Sequence, residues 1–86
     1  MLTTTSTGKT FDASPALVSV RDSSRLMFDV MDTRPIGEIA PDFEGVETLT
    51  QVDAQQVEHA YHGYTVLAAI SRNRSDGSAR VTLEKP

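Results

Sequence analysis

Short runs of alternating apolar and polar residues, separated by turn-forming residues, dominate this chain of 86 residues. Residues 16–20 and 26–30 both alternate in this way, and a short polar connection at residues 22–24 separates them. A period of two places successive side chains on opposite faces of a β-strand, and a connection of this length fits a tight hairpin. The pattern therefore predicts an antiparallel hairpin over residues 16–31.

A second hairpin is predicted at the end of the chain. Residues 64–71 are apolar at both sets of alternating positions, which is typical of a strand that is covered on both faces. After the turn signal Asp76-Gly77, residues 79–85 alternate again and present one polar face. We expect these two segments to pair, with residues 64–71 at the centre of the sheet.

Between these hairpins the period changes, which predicts a short helix that packs as a lid over a sheet. Pro35 suits the first turn of this helix, and Asp32 or Thr33 is its expected N-cap. Because Pro41 removes a backbone donor, we expect one or two helical turns, irregular structure after them and an end at Gly45. The apolar face of the helix comprises Ile36, Ile39, Ala40 and Phe43.

Residues 46–52 are rich in β-branched residues and predict a strand, whereas residues 53–62 fit two different structures. Asp53 and Gln56 stand at the spacing of a helix capping box. The alternation over residues 57–62 instead suits a strand that pairs back onto residues 46–52. From these residues alone, both interpretations stay open.

Together these segments predict an α+β fold made mainly of antiparallel β-hairpins, with about five to six strands and one or two short helices. A second domain would need roughly 50 residues of its own, so we expect a single small domain over residues 1–86. Residues 8–13 are expected to add a short edge strand, and the threonine-rich residues 1–7 a flexible N-terminus. The chain has no cysteine, so packing alone must stabilise this fold.

Charge is distributed unevenly along the chain, whose net charge is −4. Residues 29–58 contain eight acidic side chains and one arginine. An acidic stretch of this kind fits either a solvated polar face or a surface that binds a basic partner. Two lysines in the whole chain are too few for a broad phosphate-binding surface, so direct nucleic-acid binding is not expected.

Catalytic and cofactor motifs are weak in this sequence. Residues 7–10 imitate the end of a phosphate-binding loop, but Thr3 stands where that motif requires a glycine. His59 and His62 would share one face of a helix but lie on opposite faces of a strand, and no third metal ligand is matched to them. We expect no enzymatic activity, no catalytic residue, no cofactor and no metal site.

Two groups of residues are candidates for binding a protein partner. Acidic side chains within residues 29–58 form the first group, and a basic and aromatic patch near the last hairpin forms the second. The arginines of the second group equally suit the masking of an edge strand from other chains. The candidate residues are Asp42, Glu44, Glu47, Tyr61, Tyr64, Arg72 and Arg74.

Segments at both ends of the chain carry a resemblance, and in the one that begins at Tyr61 an aromatic residue, one further residue and Gly-Tyr lead into a strand and a closing hairpin. The segments are residues 61–67, 70–72, 76–77 and 81–86 at one end and residues 2–4 and 8–12 at the other. They resemble small uncharacterised proteins of phages and prophages of Gram-positive gut bacteria. The resemblance implies a viral origin, favours a strand over residues 57–62 and supplies no catalytic residue.

Two functions follow as hypotheses. The first is a non-enzymatic accessory or structural protein of a phage or prophage, which binds a protein partner or itself through its sheet surface or sheet edges. The alternative is a small acidic inhibitor of a host nucleic-acid-processing or defence enzyme, of the anti-CRISPR type, in which residues 29–58 mimic nucleic acid. The sequence shows neither a signal peptide nor a membrane span, so we expect the protein in the cytoplasm of a bacterial host or in the virion.

Overall fold

Alternating residues build most of the structure, a computed structural model that describes residues 2–13, 19–22 and 25–86. Within these residues, eight β-strands form two antiparallel sheets of four strands each. The strands are β1 (Leu2–Thr5), β2 (Thr10–Asp12), β3 (Ser19–Asp22), β4 (Arg25–Val30), β5 (Thr48–Val52), β6 (Glu58–His62), β7 (Val66–Arg72) and β8 (Ala79–Glu84). The first sheet has the order β2-β1-β5-β6, and the second sheet has the order β3-β4-β8-β7.

Both predicted hairpins are present in this arrangement. Strand β3 pairs with β4, and β7 pairs with β8, in antiparallel register. Residues 16–18 of the first predicted hairpin and residues 23–24 of its connection lie outside the described residues. Strand β6 pairs with β5, so residues 58–62 form the strand of the two structures that the sequence left open. Over the residues described here the fold is mostly antiparallel sheet with one short helical segment, and it has more strands than the expected five to six.

The inner face of the second sheet is filled by apolar side chains from its two inner strands. Leu26 and Phe28 on β4 lie opposite Leu83 and Val81 on β8, and all four are inaccessible to solvent. Burying one side chain of this size stabilises the fold by roughly 1.5–3 kcal/mol. Strands β4 and β8 therefore supply much of the apolar burial in the fold.

The first sheet joins this core at one corner. Phe43 stacks on Phe11 of β2 with ring centroids 4.6 Å apart, and it meets Phe28 of β4 edge-on at 5.6 Å. Ala13, directly after β2, pairs with Val30 at the end of β4. Because these side chains come from both sheets, the two sheets share one hydrophobic cluster.

The predicted helix is short and changes type along its length. Helix α1 (Ile36–Ile39) continues into one turn of 3₁₀ helix (Ala40–Phe43) that has Pro41 in its first turn. Proline cannot supply the backbone donor that an α-helix needs there, so the irregular end is confirmed. Ile39 and Phe43 are buried, and both helical turns lie against β7, as expected of a lid.

The N-cap of α1 differs from the prediction. Pro35 occupies this position, and no side chain caps the helix. The carboxylate of Asp32 instead accepts hydrogen bonds from the backbone and side chain of Arg34, and Thr33 is exposed. Because Pro35 fixes its own φ near the value that enters a helix, α1 begins without a capping side chain.

Residues 2–5 form a strand within the segment 1–7, for which the sequence predicts a flexible N-terminus. Strand β1 lies between β2 and β5 and pairs with both. Thr3 and Thr5 are buried on its inner face. Threonine is β-branched and favours strands, so a threonine-rich run can form an inner strand although it has little apolar area.

Strand β7 lies at an edge of the second sheet, so the predicted central position of residues 64–71 is wrong. Its pairing with β8 shifts register between Leu67 and Ala69, which marks a bulge at Ala68. Ala68 and Ala69 are exposed and Val66 is 41% exposed. The apolar run contains small residues that an edge strand can leave in water, and β8 occupies the inner position instead.

Candidate functional site

The hairpin that joins β5 to β6 fixes the position of β6 through the side chain of Asp53. Its Oδ1 accepts hydrogen bonds from the backbone N–H groups of Gln55 and Val57, each at 2.9 Å. The Asp53 backbone N–H donates to the Val57 carbonyl at 3.0 Å, and Gln56 adopts a left-handed φ of 66°. The residues that suggest a capping box therefore build an Asx-type hairpin loop, because the same side-chain acceptor serves either structure.

Strand β6 presents a regular open edge on the side away from β5. At the loop end, Asp53 donates to Val57, and at the other end the Gly63 N–H donates to the Glu47 carbonyl at 3.1 Å. Backbone bonding alternates along an antiparallel pair, so residues 57, 59, 61 and 63 bond to β5. The N–H and C=O groups of Glu58, Ala60 and His62 consequently point away from the sheet.

The side chains of β6 are exposed on both faces, apart from the half-buried Tyr61. Leu49 and Gln51 of β5 are buried, so Thr50 between them faces the outer side of the first sheet. Ala60 pairs with Thr50 and lies on the same outer face. Glu58 and His62 stand two residues to either side of Ala60 and therefore share this outer face. An acidic side chain and an imidazole thus flank a small residue, one on each side.

The two histidines have separate partners on opposite faces. His59 Nε2 lies 2.9 Å from Asp53 Oδ2, and this hydrogen bond is the main cause of the lowered pKa of Asp53. His62 Nδ1 is hydrogen-bonded to Thr48 Oγ1 at 3.2 Å. Among the described residues, no group of three or more histidine, aspartate or glutamate side chains is placed to hold a metal ion.

The two tyrosines of the predicted patch lie near one end of β6. Tyr61 is half-buried opposite Leu49, and burial raises the pKa of its hydroxyl. Tyr64 is buried, with Lys85 Nζ 5.1 Å from its ring centroid. Glu47 lies beside them, because its carbonyl accepts the Gly63 N–H. The structure therefore brings Glu47 and the tyrosines to the same end of the β5–β6 hairpin.

The predicted arginines lie elsewhere and differ from each other. Arg72 donates from Nη1 to the carbonyls of Asp32 and Gly77 and from Nη2 to the carbonyl of Arg34. Three carbonyl partners on two loops identify Arg72 as a residue that holds the chain after β4 against the β7–β8 hairpin. Arg74 is exposed on that hairpin.

Part of the acidic charge predicted for partner binding is neutralised within the fold. Asp42 Oδ2 lies 2.9 Å from Arg34 Nη2, and the same guanidinium binds Asp32 at 2.8 Å. The hydrogen bond from Arg34 is the main cause of the lowered pKa of Asp32. Glu44 and Glu47 are exposed in the connection between the 3₁₀ turn and β5.

Sequence reasoning missed the outward-facing residues of β6 as a group. Tyr61 was the one member of this strand among the candidates, yet Glu58, Ala60 and His62 carry the open edge. The signal was present in the sequence as Glu58 and His62 placed symmetrically about Ala60. It could be used only if residues 58–62 were known to be an edge strand.

Comparisons with known proteins add nothing to this geometry. No family model, curated protein or solved structure matches the chain. Within the part of the chain that the structure describes, no helix has the length and apolar character needed to cross a membrane.

Proposed function

We propose that this chain is a non-enzymatic accessory or structural protein of a phage or prophage that binds another protein chain, either a partner protein or a second copy of itself, by strand addition at β6. The observation that carries the proposal is the open edge of the first sheet, where Glu58, Ala60 and His62 direct backbone donors and acceptors outward. Strand addition uses these groups for affinity and the alternating side chains for specificity. The resemblance of the chain ends to phage proteins supports the proposed origin.

The other sheet edges in the described residues are less suited to this use. Strand β2 has three residues, and short edge strands offer few groups to a partner. The pairing of β3 with β4 shifts register between Val20 and Asp22, and β7 has its bulge at Ala68. Strand β6 is paired without a shift from Glu58 to His62 and contains neither proline nor lysine.

The acidic inhibitor remains the second hypothesis, with less support from the geometry. Nucleic-acid mimicry needs a row of exposed negative charges. Arg34 binds Asp32 and Asp42, and Asp29 is buried against Arg80. Residues 29–58 therefore present fewer unpaired charges than their composition suggests.

A proline at position 60 tests the proposed function directly. The Ala60 N–H points away from β5, so Ala60→Pro removes a donor from the open edge and no hydrogen bond from the ladder with β5. Ala60→Thr is the matched control, because threonine keeps the N–H and favours a strand. Circular dichroism and thermal unfolding establish that both variants are folded.

The wild type and both variants are immobilised and used to capture proteins from a lysate of a Gram-positive gut bacterium, with and without phage infection. We expect at least one protein to be retained by the wild type and by Ala60→Thr but lost with Ala60→Pro. Retention of the same proteins by all three chains would exclude β6 as the binding edge. Turnover of a small metabolite by the purified chain would exclude a non-enzymatic role.

A further inference from the structure

We propose that the partner of the β6 edge is a second copy of this chain, bound antiparallel about a two-fold axis that passes beside Ala60. This inference rests on the proposed function and names the occupant of its site. In this register Ala60 lies opposite Ala60 of the second copy, and Glu58 lies opposite His62. The two first sheets then form one continuous sheet across the axis.

Backbone geometry restricts the possible registers, and this one pairs all three outward-facing residues of the strand. A two-fold axis relates each residue of one strand to a residue equally far from the axis in the other strand. Glu58, Ala60 and His62 all direct their N–H and C=O groups outward, so each of these residues meets another outward-facing residue. Every such pair exchanges two backbone hydrogen bonds, as in a regular antiparallel ladder. A shift by one residue would place outward-facing groups against groups already bonded to β5.

Charge and packing favour the same register. Glu58 faces His62 of the other copy twice, once on each side of the axis, so an acidic side chain lies opposite a basic one at both places, a favourable cross-strand pairing. A parallel pairing in register would instead place glutamate against glutamate. On the inner face, Val57 is 50% exposed in the single chain and lies diagonal to Tyr61 of the second copy. The pairing would cover this exposed apolar side chain.

Cysteine substitution tests the axis, because the natural chain has no cysteine. Opposed residues in a hydrogen-bonded antiparallel pair have Cα atoms about 5.5 Å apart, which lies within the range of a disulfide. We expect Ala60→Cys to form a covalent dimer under mild oxidation. Ala69→Cys is the matched control, since Ala69 is also an exposed alanine on an edge strand. It should form at least tenfold less dimer in the same time.

A mixture of two further variants tests the direction of pairing. Glu58→Cys and His62→Cys are mixed in equal amounts, oxidised and analysed by mass spectrometry. The antiparallel register brings position 58 of one chain to position 62 of the other, so the mixed disulfide should dominate. Identical positions are separated by about 14 Å along the strands and should not be linked. Dominance of the two homodimers would overturn the antiparallel register.

Sedimentation equilibrium of the unlabelled chains completes the test. We expect wild type and Ala60→Thr to dimerise with a concentration dependence that Ala60→Pro lacks, and His62→Glu to weaken the dimer roughly fivefold or more. A wild type that stays monomeric, or equal linking of Ala60→Cys and Ala69→Cys, overturns the proposed dimer. If a monomeric wild type still captures a protein that Ala60→Pro loses, the self-partner is wrong and strand addition to another protein stands. If no capture or association depends on position 60, both proposals are wrong.

Discussion

The two sheets are built from the same kind of hairpin but differ in what fills their inner faces. Leucine, phenylalanine and valine from β4 and β8 fill the inner face of the second sheet. The inner face of the first sheet combines Phe11 and Leu49 with buried polar side chains, namely those of Thr3, Thr5 and Gln51. Apolar burial, which is the main source of folding energy, is therefore concentrated in the second sheet.

The difference suggests a division of roles. The second sheet has the more strongly apolar inner face, and both of its edge strands are irregularly paired. The first sheet has less to gain from burial and ends in β6, whose side chains are mostly exposed. An edge that contributes little to the core can exchange solvent for a partner strand without disturbing the rest of the molecule.

Truncation of one phenylalanine in each sheet gives the largest expected contrast. Phe28→Ala in β4 should lower the free energy of unfolding by about 4 kcal/mol, because its surroundings are close-packed on all sides. Phe11→Ala should cost about 2–3 kcal/mol, since β2 is a three-residue edge strand and its neighbours can move into part of the space. Urea unfolding followed by circular dichroism measures both. An equal or larger loss for Phe11→Ala would mean that the first sheet contributes as much as the second.

Asp29 tests whether the outer face of the second sheet also contributes to stability. Its carboxylate is buried, accepts hydrogen bonds from Arg80 Nε at 2.9 Å and from Asn73 Nδ2 at 2.8 Å, and so ties the β7–β8 hairpin to β4. Asp29→Ala should cost about 2 kcal/mol. This is less than for a fully buried ion pair, because the Arg80 side chain is 42% exposed and can be solvated.

Asp29→Asn is the companion variant, measured in the same urea titration. The asparagine amide oxygen can still accept one of these hydrogen bonds. Asp29→Asn should therefore lower the free energy of unfolding by about half as much as Asp29→Ala does. A loss below about 0.5 kcal/mol for Asp29→Ala, the range of ordinary surface substitutions, would show that the contacts of this carboxylate contribute little.

The secondary-structure elements that could be predicted from the sequence are those for which a single local sequence pattern points to one structure. Alternation in β4 and β8, the turn at Asp76-Gly77 and the break at Pro41 each have one structural consequence, and the structure contains all of them. The N-terminal strand could not be predicted in this way. Its threonines are polar by composition but fit an inner strand by shape, and the decision depends on β2 and β5, which lie on either side of it.

The candidate site was harder to predict from the sequence, because the role of each of its residues depends on contacts with distant parts of the chain. Arg72 looks like a surface cation in the sequence. The carbonyls of Asp32 and Arg34 that accept its hydrogen bonds come from a distant part of the chain, which the packing of α1 on β7 brings close. The importance of Ala60 follows from which strand lies at an edge. Sheet order results from the whole chain and is not determined by any short segment.

Two buried threonines of β1 differ in whether the side-chain hydroxyl group is hydrogen-bonded. The hydroxyl of Thr3 is buried without a hydrogen-bond partner, as is the side-chain nitrogen of Gln51, the residue opposite it. Thr3→Val should therefore stabilise the fold by about 1 kcal/mol, because it replaces an unpaired hydroxyl by a methyl group of the same shape. The measurement is the urea midpoint.

Thr5→Val is the control, on the same strand and the same face. The Thr5 hydroxyl is hydrogen-bonded to Thr7 Oγ1 at 2.8 Å and accepts the Lys9 N–H at 3.2 Å. Its replacement should destabilise the fold by about 1 kcal/mol. A loss of stability in Thr3→Val would instead indicate that a water molecule bridges Thr3 and Gln51, and the first sheet would then be better satisfied than its composition suggests.

Acid should loosen the β5–β6 hairpin through Asp53, and this is the smallest of the expected effects. The hydrogen bond from His59, with those from Val57 and Gln55, holds the pKa of Asp53 below its usual value of about 3.9. A carboxyl whose pKa is lowered by folding stabilises the folded state above its unfolded pKa and loses that contribution as the pH falls through the lower, folded value. Asp53→Asn keeps an acceptor for the loop but has no charge, so its difference from the wild type should shrink between pH 6 and pH 2.

Amide hydrogen exchange locates this effect within the molecule. If Asp53 acts on the hairpin alone, acidification or Asp53→Asn should speed exchange in β6, after correction for the intrinsic rate, and leave β8 unchanged. Equal acceleration in both strands would show that the two sheets open as one unit. In that case β6 would not be energetically separate from the core, and its suitability for binding a partner would rest on its open backbone groups rather than on a weak connection to the second sheet.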